Sequence, residues 1–235
     1  MGTQTGGQEP LIMLESFFKP PVYFKVAEPW MWETPVSPAE EQLIERAVDK
    51  RKREFRAGRN ASHALFNQLG IQHQDLLKGK QREPAWPQGW AGSISHTQGI
   101  CMVVLASTQH VSSIGLDVEL ATPLNPELKE LICRPEELIQ INTLRTQMGT
   151  AYAYEKLIFS AKESVHKTYF PLNYHTLDFL DARIEIDWGN QTFQAFILNP
   201  EPQPNVKIDS LHGSFLFHED WIVTTIVHQA PDVSY

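Results

Sequence analysis

Two short motifs hold most of the residues able to do chemistry: Gly115-Leu116-Asp117-Val118-Glu119 and Phe159-Ser160-Ala161-Lys162-Glu163-Ser164-Val165-His166-Lys167. Together they carry three carboxylates and two lysines, the equipment for holding a divalent metal against a diphosphate. Asp117 and Glu119 lie two apart, so on a strand they share one face while Leu116 and Val118 turn to a core. Neighbouring carboxylates repel, and either a metal or open solvent relieves them. Hard oxygen ligands suit Mg²⁺, which keeps waters and completes its shell with substrate phosphates; taken alone, the pair also fits the solvated face of an edge strand. On a helix, Glu163 and Lys167 are one turn apart. They form either a surface ion pair or part of a phosphate site. In the second case Glu163 is a third metal ligand or a general base, and Lys162 and Lys167 are compact positive charges.

Two further segments add to this set. Ser95-His96 stands at the turn end of an expected hairpin, between the acidic motif and a basic run. Adjacent residues on a strand point apart, and no Gly-x-Ser-x-Gly elbow surrounds the serine, so the two make a poor nucleophile–base pair. A hydrogen bond from His96 to a phosphate is the better use. The basic run holds Arg46, Lys50, Arg51, Lys52, Arg53, Arg56 and Arg59, with Asp49 and Glu54 as its acids. It reads either as a solvated helix face or as a local anion site on an otherwise acidic chain.

The elements that must carry these residues follow from periodicity and punctuation. Residues 22–26 alternate as a strand. Ser37-Pro38-Ala39-Glu40 is a capping box with proline at the first helical position, and Leu43, Ile44, Ala47, Val48 and Phe55 continue an apolar stripe. Gly58 is expected to break that helix, with a second helix over 59–69 stopped by Gly70. Pro84, Pro87, Gly89 and Gly92 mark 75–92 as a loop. A hairpin is expected over 93–106 and a strand over 114–120. A helix starts at Pro135, and a long one spans 151–170 with Pro171 as its stop. Strands at 183–187 and 192–198 and a last hairpin over 213–228 complete the chain.

Gly92-Ser93-Ile94-Ser95-His96 and Gly213-Ser214-Phe215-Leu216-Phe217-His218 both lead into apolar hairpins near the ends of two halves of similar length. The expected fold is therefore α+β, with two similar lobes related by a pseudo-twofold, over 1–112 and 113–235. Each is a small, mostly antiparallel sheet packed on a long helix, and the cleft between them takes the ligand.

Bulk properties exclude several classes. The 235 residues carry a formal charge of −8, with 42% hydrophobic and 20% charged residues, which argues against bulk nucleic-acid binding. No apolar run reaches the length of a membrane span. Residues 1–10 are polar and glycine-rich, and they read as a frayed tail and not as a secretory signal. Two cysteines form no metal cluster and give no sign of an oxidising compartment, so a cytoplasmic location is expected.

With these residues in view, the chain resembles a 4′-phosphopantetheinyl transferase, in particular the monomeric, two-lobed surfactin/enterobactin-type branch. Five segments carry the resemblance, in the family's order, between residues 53 and 167. They are Arg53-Glu54-Phe55 through Gly58-Arg59 to Ala64-Leu65 and Leu69-Gly70; Arg82-Glu83-Pro84-Ala85-Trp86-Pro87; Gly92-Ser93-Ile94-Ser95-His96-Thr97; and the two motifs above. Phe159 stands where relatives often carry Trp.

The resemblance implies transfer of the phosphopantetheine arm of coenzyme A to a serine of an apo acyl, peptidyl or aryl carrier protein, leaving 3′,5′-ADP. It implies that Asp117, Glu119 and Glu163 are Mg²⁺ ligands, with Mn²⁺ an alternative. Arg59, Arg82 and Arg53 are implied near the adenine and 3′-phosphate. Ser95 and His96 are implied at the coenzyme A phosphates, and Lys162 and Lys167 at the diphosphate end, Lys167 nearest it. Glu163, Lys167 and His96 are then the catalytic set, with Glu163 the candidate base. Residues 120–154 match the family pattern poorly, and there the family docks its carrier. Carriers are generally acidic, so an acidic enzyme must receive one on a local basic or apolar patch. A Mg²⁺-dependent phosphohydrolase and a coenzyme A-binding module without catalysis are the competing readings.

Overall fold

The chain runs through two similar series, each a first strand, then helices, then further strands. The computed structural model describes residues 9–79, 83–218 and 220–231; Arg82 and most of the expected frayed tail lie outside the described residues. The helices are α1 (Glu9–Phe17), α2 (Pro29–Glu33), α3 (Pro38–Gln42), α4 (Asp49–Gln68), α5 (Lys129–Ile132), α6 (Pro135–Met148) and α7 (Tyr154–Asn173). The strands are β1 (Val22–Val26), β2 (Trp90–Thr97), β3 (Ile100–Ser107), β4 (Val111–Leu120), β5 (Ala182–Asp187), β6 (Thr192–Ile197), β7 (Ser210–His218) and β8 (Trp221–Gln229). One antiparallel sheet has the order β1-β3-β2 and the other β4-β8-β7-β6-β5. The order β4-β8-β7 repeats β1-β3-β2, and each series has one 20-residue helix, α4 or α7, after its first strand. β5 and β6 extend the second sheet. No helix among the described residues is long and apolar enough to cross a membrane.

The first lobe departs from its local signals in two places. Ser37 caps α3 as its sequence predicts, accepting from Glu40 N at 3.2 Å, but α3 ends at Gln42 and a new helix begins at Asp49. α4 then runs unbroken through Gly58. A Cβ there would stand 3.0 Å from Ile94 Cγ2, so this glycine lets the helix approach β2. Gly70 stops α4 as expected, at φ +67°, with Ile71 N bonded to Phe66 O at 2.9 Å in a Schellman closure. Ala61, Leu65 and Phe66 of α4 pack on Val103 and Leu105 of β3.

In the second lobe α7 buries Leu157, Ile158, Ala161, Val165 and Tyr169, the stripe its sequence shows. It starts at Tyr154 and not at 151. Pro171 does not stop it: the proline lies inside the last turn, and the helix ends after Asn173, where Tyr174 turns left-handed at φ 50°. A proline near a helix end gives up only one hydrogen bond, so tertiary packing overrides it. Buried hydroxyls seat the helix: Ser164 Oγ lies 2.6 Å from Thr224 Oγ1, and Ser113 Oγ donates to Thr168 O at 2.8 Å. Gly115 makes this possible, because a Cβ there would collide with the Ser164 carbonyl and the Thr168 hydroxyl.

The lobes meet where a face of one sheet touches the edge of the other. β4 pairs with β8 on one side only. On its other side Leu116 N and Val118 N each donate to a serine hydroxyl of β2, Ser93 Oγ and Ser95 Oγ, both at 3.1 Å. A shared core of Leu14, Met102, Val104, Leu116, Val118 and Val223 lies beside this seam.

Gly115→Ala is expected to lower the unfolding free energy by about 3 kcal/mol, the upper end for overpacking. Gly189, whose added Cβ would meet only Asp187 Oδ1 at 3.6 Å, is the control and should change stability by less than about 0.5 kcal/mol as alanine. Urea denaturation of both variants checks the pair.

Candidate active site at the lobe seam

The seam carries a three-way polar knot. Asp117 Oδ1 accepts from Ser95 Oγ at 2.8 Å and from Lys167 Nζ at 2.7 Å, while Lys167 Nζ also donates to Ser95 Oγ at 3.1 Å. One residue comes from β2, one from β4 and one from α7, so the site exists only when both lobes and the long helix are in place. The Ser95 hydroxyl gives its one proton to Asp117 and accepts from Val118 N and Lys167, which saturates it. Asp117 is only 3% exposed, so the solvated-edge reading of the acidic strand does not hold. Its partner Leu116 is fully buried, as alternation requires. Of the two readings of Glu163 and Lys167, the surface ion pair does not form, because Lys167 reaches across to Asp117 instead.

Burial and like charge act together on the other two carboxylates. Glu163 has its pKa raised, first by burial and then by the charges of Asp117 and Glu119, with Lys167 opposing. Glu119 is also raised, first by burial and then by Asp117; Lys156, 3.4 Å away, opposes this. Lys156 was not singled out in the sequence, although it precedes Glu163 by two helical turns and so shares its face. Asp117 Oδ2 is buried without a hydrogen-bond partner. An orphaned acceptor beside two carboxylates resisting ionisation fits a hard divalent cation. Among the described residues no three Asp, Glu, His or Cys side chains close on a common point. Glu119 and Glu163 would therefore have to swing toward Asp117 to share one ion.

His96 leaves the opposite face of β2 from Ser95 and meets α4. Its Nε2 lies 2.8 Å from Arg51 Nη1, and its Nδ1 lies 3.8 Å from Glu54 Oε2. Arginine only donates, so Nε2 accepts and the ring proton is assigned to Nδ1. Burial, helped by Arg51 and Lys167, pushes the histidine pKa down against the pull of Glu54 and Asp117, which keeps the ring neutral. Ser95 and His96 thus face different elements, as expected for adjacent strand residues.

Three of the residues that the sequence singles out are engaged within the protein. Lys162 does not reach the seam: its side chain is 2% exposed, and Nζ donates to Glu137 Oε2 at 2.8 Å and to Ile132 O at 2.7 Å. The i,i+5 offset from Lys167 turns it to the other side of α7. Arg53 pairs with Glu33 at 2.6 Å on the outside. Arg59 is buried at 6% exposure, stacked 4.4 Å over Phe55 and 4.0 Å from Glu40, and burial lowers its pKa to about 10. Arg51, within the basic run but not distinguished there, is the arginine that touches His96. Its selection depends on where α4 begins, which the capping box at Ser37 misdirects.

A cavity of about 440 Å³ opens beside the knot, lined by Trp86, Gly92, Ile94, His166, Lys167 and Phe170. A second, of about 260 Å³, has Glu163, His166, Thr176 and Phe179 in its wall. His166 and Thr176 belong to both.

The fold is two-lobed α+β, with a lysine and three carboxylates gathered at its seam. Residues 39–106 match the family model described as the 4′-phosphopantetheinyl transferase N-terminal domain, and 113–226 match that of the 4′-phosphopantetheinyl transferase superfamily. The chain is 34% identical over 203 residues to the 4′-phosphopantetheinyl transferase Svp of Streptomyces mobaraensis, covering 85% of this chain and 82% of the relative. It is 31% identical over 195 residues to the 4′-phosphopantetheinyl transferase PptT of Mycobacterium tuberculosis, covering 81% and 85%. Similarity extends to enterobactin synthase component D of Escherichia coli, at 33% over 152 residues, covering 63% and 68%. The chain belongs to the 4′-phosphopantetheinyl transferase family, and it is an enzyme that transfers the phosphopantetheine group to carrier proteins.

The raised pKa of Glu163 has a consequence for stability. Its folded value lies above its unfolded one, so bound protons favour the fold, and this contribution is lost as pH rises through the folded value. Glu163→Gln is therefore expected to raise the melting temperature near neutral pH by about 2–4 °C. The gain should fade as pH falls below the ordinary glutamate value of 4.5. Thermal melts of both proteins from acid to neutral pH test this; an unchanged or lower neutral Tm contradicts it.

Proposed function

We propose that coenzyme A lies across the lobe seam with its diphosphate on Lys167 and His96 and its 3′-phosphate toward the basic face of α4, Ser95 orienting Lys167 through their hydrogen bond. The family draws its phosphopantetheine from coenzyme A and generally requires a divalent metal. The Ser95–Asp117–Lys167 knot, with Glu163 one turn before Lys167, is the observation that supports this reading. It joins an anion-binding lysine, a buried carboxylate and a free carboxylate at one junction. Asp117, Glu119 and Glu163 would hold Mg²⁺, or Mn²⁺ in its place, which supplies charge neutralisation for the diphosphate.

The chain's own residues then do the positioning. Lys167 neutralises the diphosphate, and neutral His96 donates from its ring N–H once substrate displaces Glu54. The carrier serine oxygen forms a bond to the β-phosphorus, the bond to the bridging oxygen breaks, and 3′,5′-ADP departs. Glu163 takes the serine proton. Its two oxygens allow metal and proton duties together. The 440 Å³ cavity beside Lys167 accepts the pantetheine arm, whose apolar stretches suit Trp86, Ile94 and Phe170. The carrier meets α5 and α6, where Leu131 and Ile139 stand 63% and 68% exposed. The enzyme works as a cytoplasmic monomer, with lobe 1–112 holding the nucleotide end and lobe 113–235 the metal.

Intact-mass spectrometry of an apo carrier incubated with this chain, coenzyme A and Mg²⁺ tests the reading. A gain of one phosphopantetheine arm, lost with EDTA, is expected, and Asp117→Ala should slow it on the order of a hundredfold or more. Coenzyme A cleavage without carrier would indicate the hydrolase instead, and tight coenzyme A binding with no transfer to several carriers would indicate the binding module. Arg51→Ala should raise the KM for coenzyme A about tenfold and that for dephospho-coenzyme A less. Equal effects on both would exclude Arg51 from 3′-phosphate recognition.

A further inference from the structure

Lys162 and Glu137 form a buried pair that the reaction as described leaves unused. Both side chains are almost wholly enclosed, at 2% and 0% exposure. Glu137 is a hub: Oε2 accepts from Lys162 Nζ at 2.8 Å and from Arg134 N at 2.7 Å, and Oε1 accepts from Ile184 N at 2.7 Å. Lys162 Nζ adds Ile132 O, the last residue of α5, at 2.7 Å. One ion pair therefore joins the end of α5, the start of α6, the open edge of β5 and the middle of α7. Gln140 continues the job one turn on, accepting from Ile186 N at 2.9 Å. The residue after Lys162 on α7 is Glu163.

Two buried charges rarely add net stability over an apolar pair of the same size, so a pair retained here needs another reason. Its geometry supplies one. Lys162 and Glu163 leave α7 about 100° apart, so locking the lysine to a three-element hub fixes the azimuth of the carboxylate next to it. The same lock fixes α5 and α6, which carry the exposed Leu131 and Ile139.

We propose that Lys162, through Glu137, is a positioning residue that sets the Glu163 carboxylate and the α5–α6 surface relative to each other, and is not a phosphate ligand. This rests on the reading of Glu163 given above. Removing one partner strands a buried charge, whereas removing both does not, so Lys162→Met and the double variant Lys162→Met/Glu137→Gln separate folding from positioning.

The measurements are melting temperature, coenzyme A affinity without carrier, Mn²⁺ affinity of the free enzyme, and kcat and KM for a carrier. In the double variant we expect the melting temperature to recover most of the loss seen in Lys162→Met and coenzyme A affinity to stay within about twofold of wild type. Mn²⁺ affinity and kcat should remain about tenfold or more below wild type. Recovery of metal affinity and kcat together with the melting temperature would overturn the proposal in favour of plain stabilisation. A loss of coenzyme A affinity in a folded Lys162→Met would overturn it in favour of a phosphate contact. If the double variant does not fold, Lys162→Arg, which keeps the charge but moves the head group, should show the same metal and kcat deficit; wild-type values there would overturn the proposal. Absence of arm transfer by the wild type refutes the functional reading instead, while the Mn²⁺ comparison still reports on positioning.

Discussion

Everything at the site depends on a buried carboxylate that the seam must satisfy from three directions. Asp117 stands on an edge strand, and an unpaired buried charge there would cost several kcal/mol. Ser95 from the other lobe and Lys167 from α7 meet that need. The same contacts give β4's free edge its missing acceptors, because the β2 serines stand in for a neighbouring strand. Lobe association, edge protection and assembly of the reactive groups are thus one event. Gly115 is part of it, since only a residue without a Cβ lets α7 come close enough for Lys167 to arrive.

The second feature is how unevenly charge is relieved. Asp117 has a lysine in hydrogen-bond contact, Glu119 has one at 3.4 Å, and Glu163 has no such partner among the described residues. Burial first, and then the charges of Asp117 and Glu119, raise the pKa of Glu163. A protein selected for stability alone would neutralise the group, and keeping it strained is the usual mark of a functional position. The other edge strand, β5, shows the contrasting solution. There Glu137 and Gln140 of α6 take the strand's N–H groups, and the Glu137 charge is met by a buried lysine.

The chain's halves share a strand order and a helix placement, yet they have diverged in what they hold. In the first, α4 brings Arg51 and Glu54 to His96; in the second, α7 brings Glu163 and Lys167 to Asp117. The added strands β5 and β6 give the second lobe an edge on which α6 can sit, and through it the buried pair beside Glu163.

Local chemistry was sufficient for much of this. Alternation at 115–119 put Asp117 and Glu119 opposite Leu116 and Val118, the spacing of Glu163 and Lys167 put them on one turn, and Gly70 ended its helix, because each depends on residues within one turn or one strand. Motif order was enough to suggest the family and the reaction. Tertiary contacts decided what those local rules left open. Gly58 and Pro171 both carry helix-breaking signals, and both lie inside helices, since packing against β2 and sheet two outweighs a propensity cost of about 1–3 kcal/mol. Which of seven clustered basic residues faces His96 depends on the first residue of α4, and whether Lys162 reaches phosphate or a buried glutamate depends on where α6 lies. Sequence spacing states which side chains share a face; only the packed chain states what that face meets, because a partner such as Ser95, 72 residues from Lys167, leaves no periodic trace.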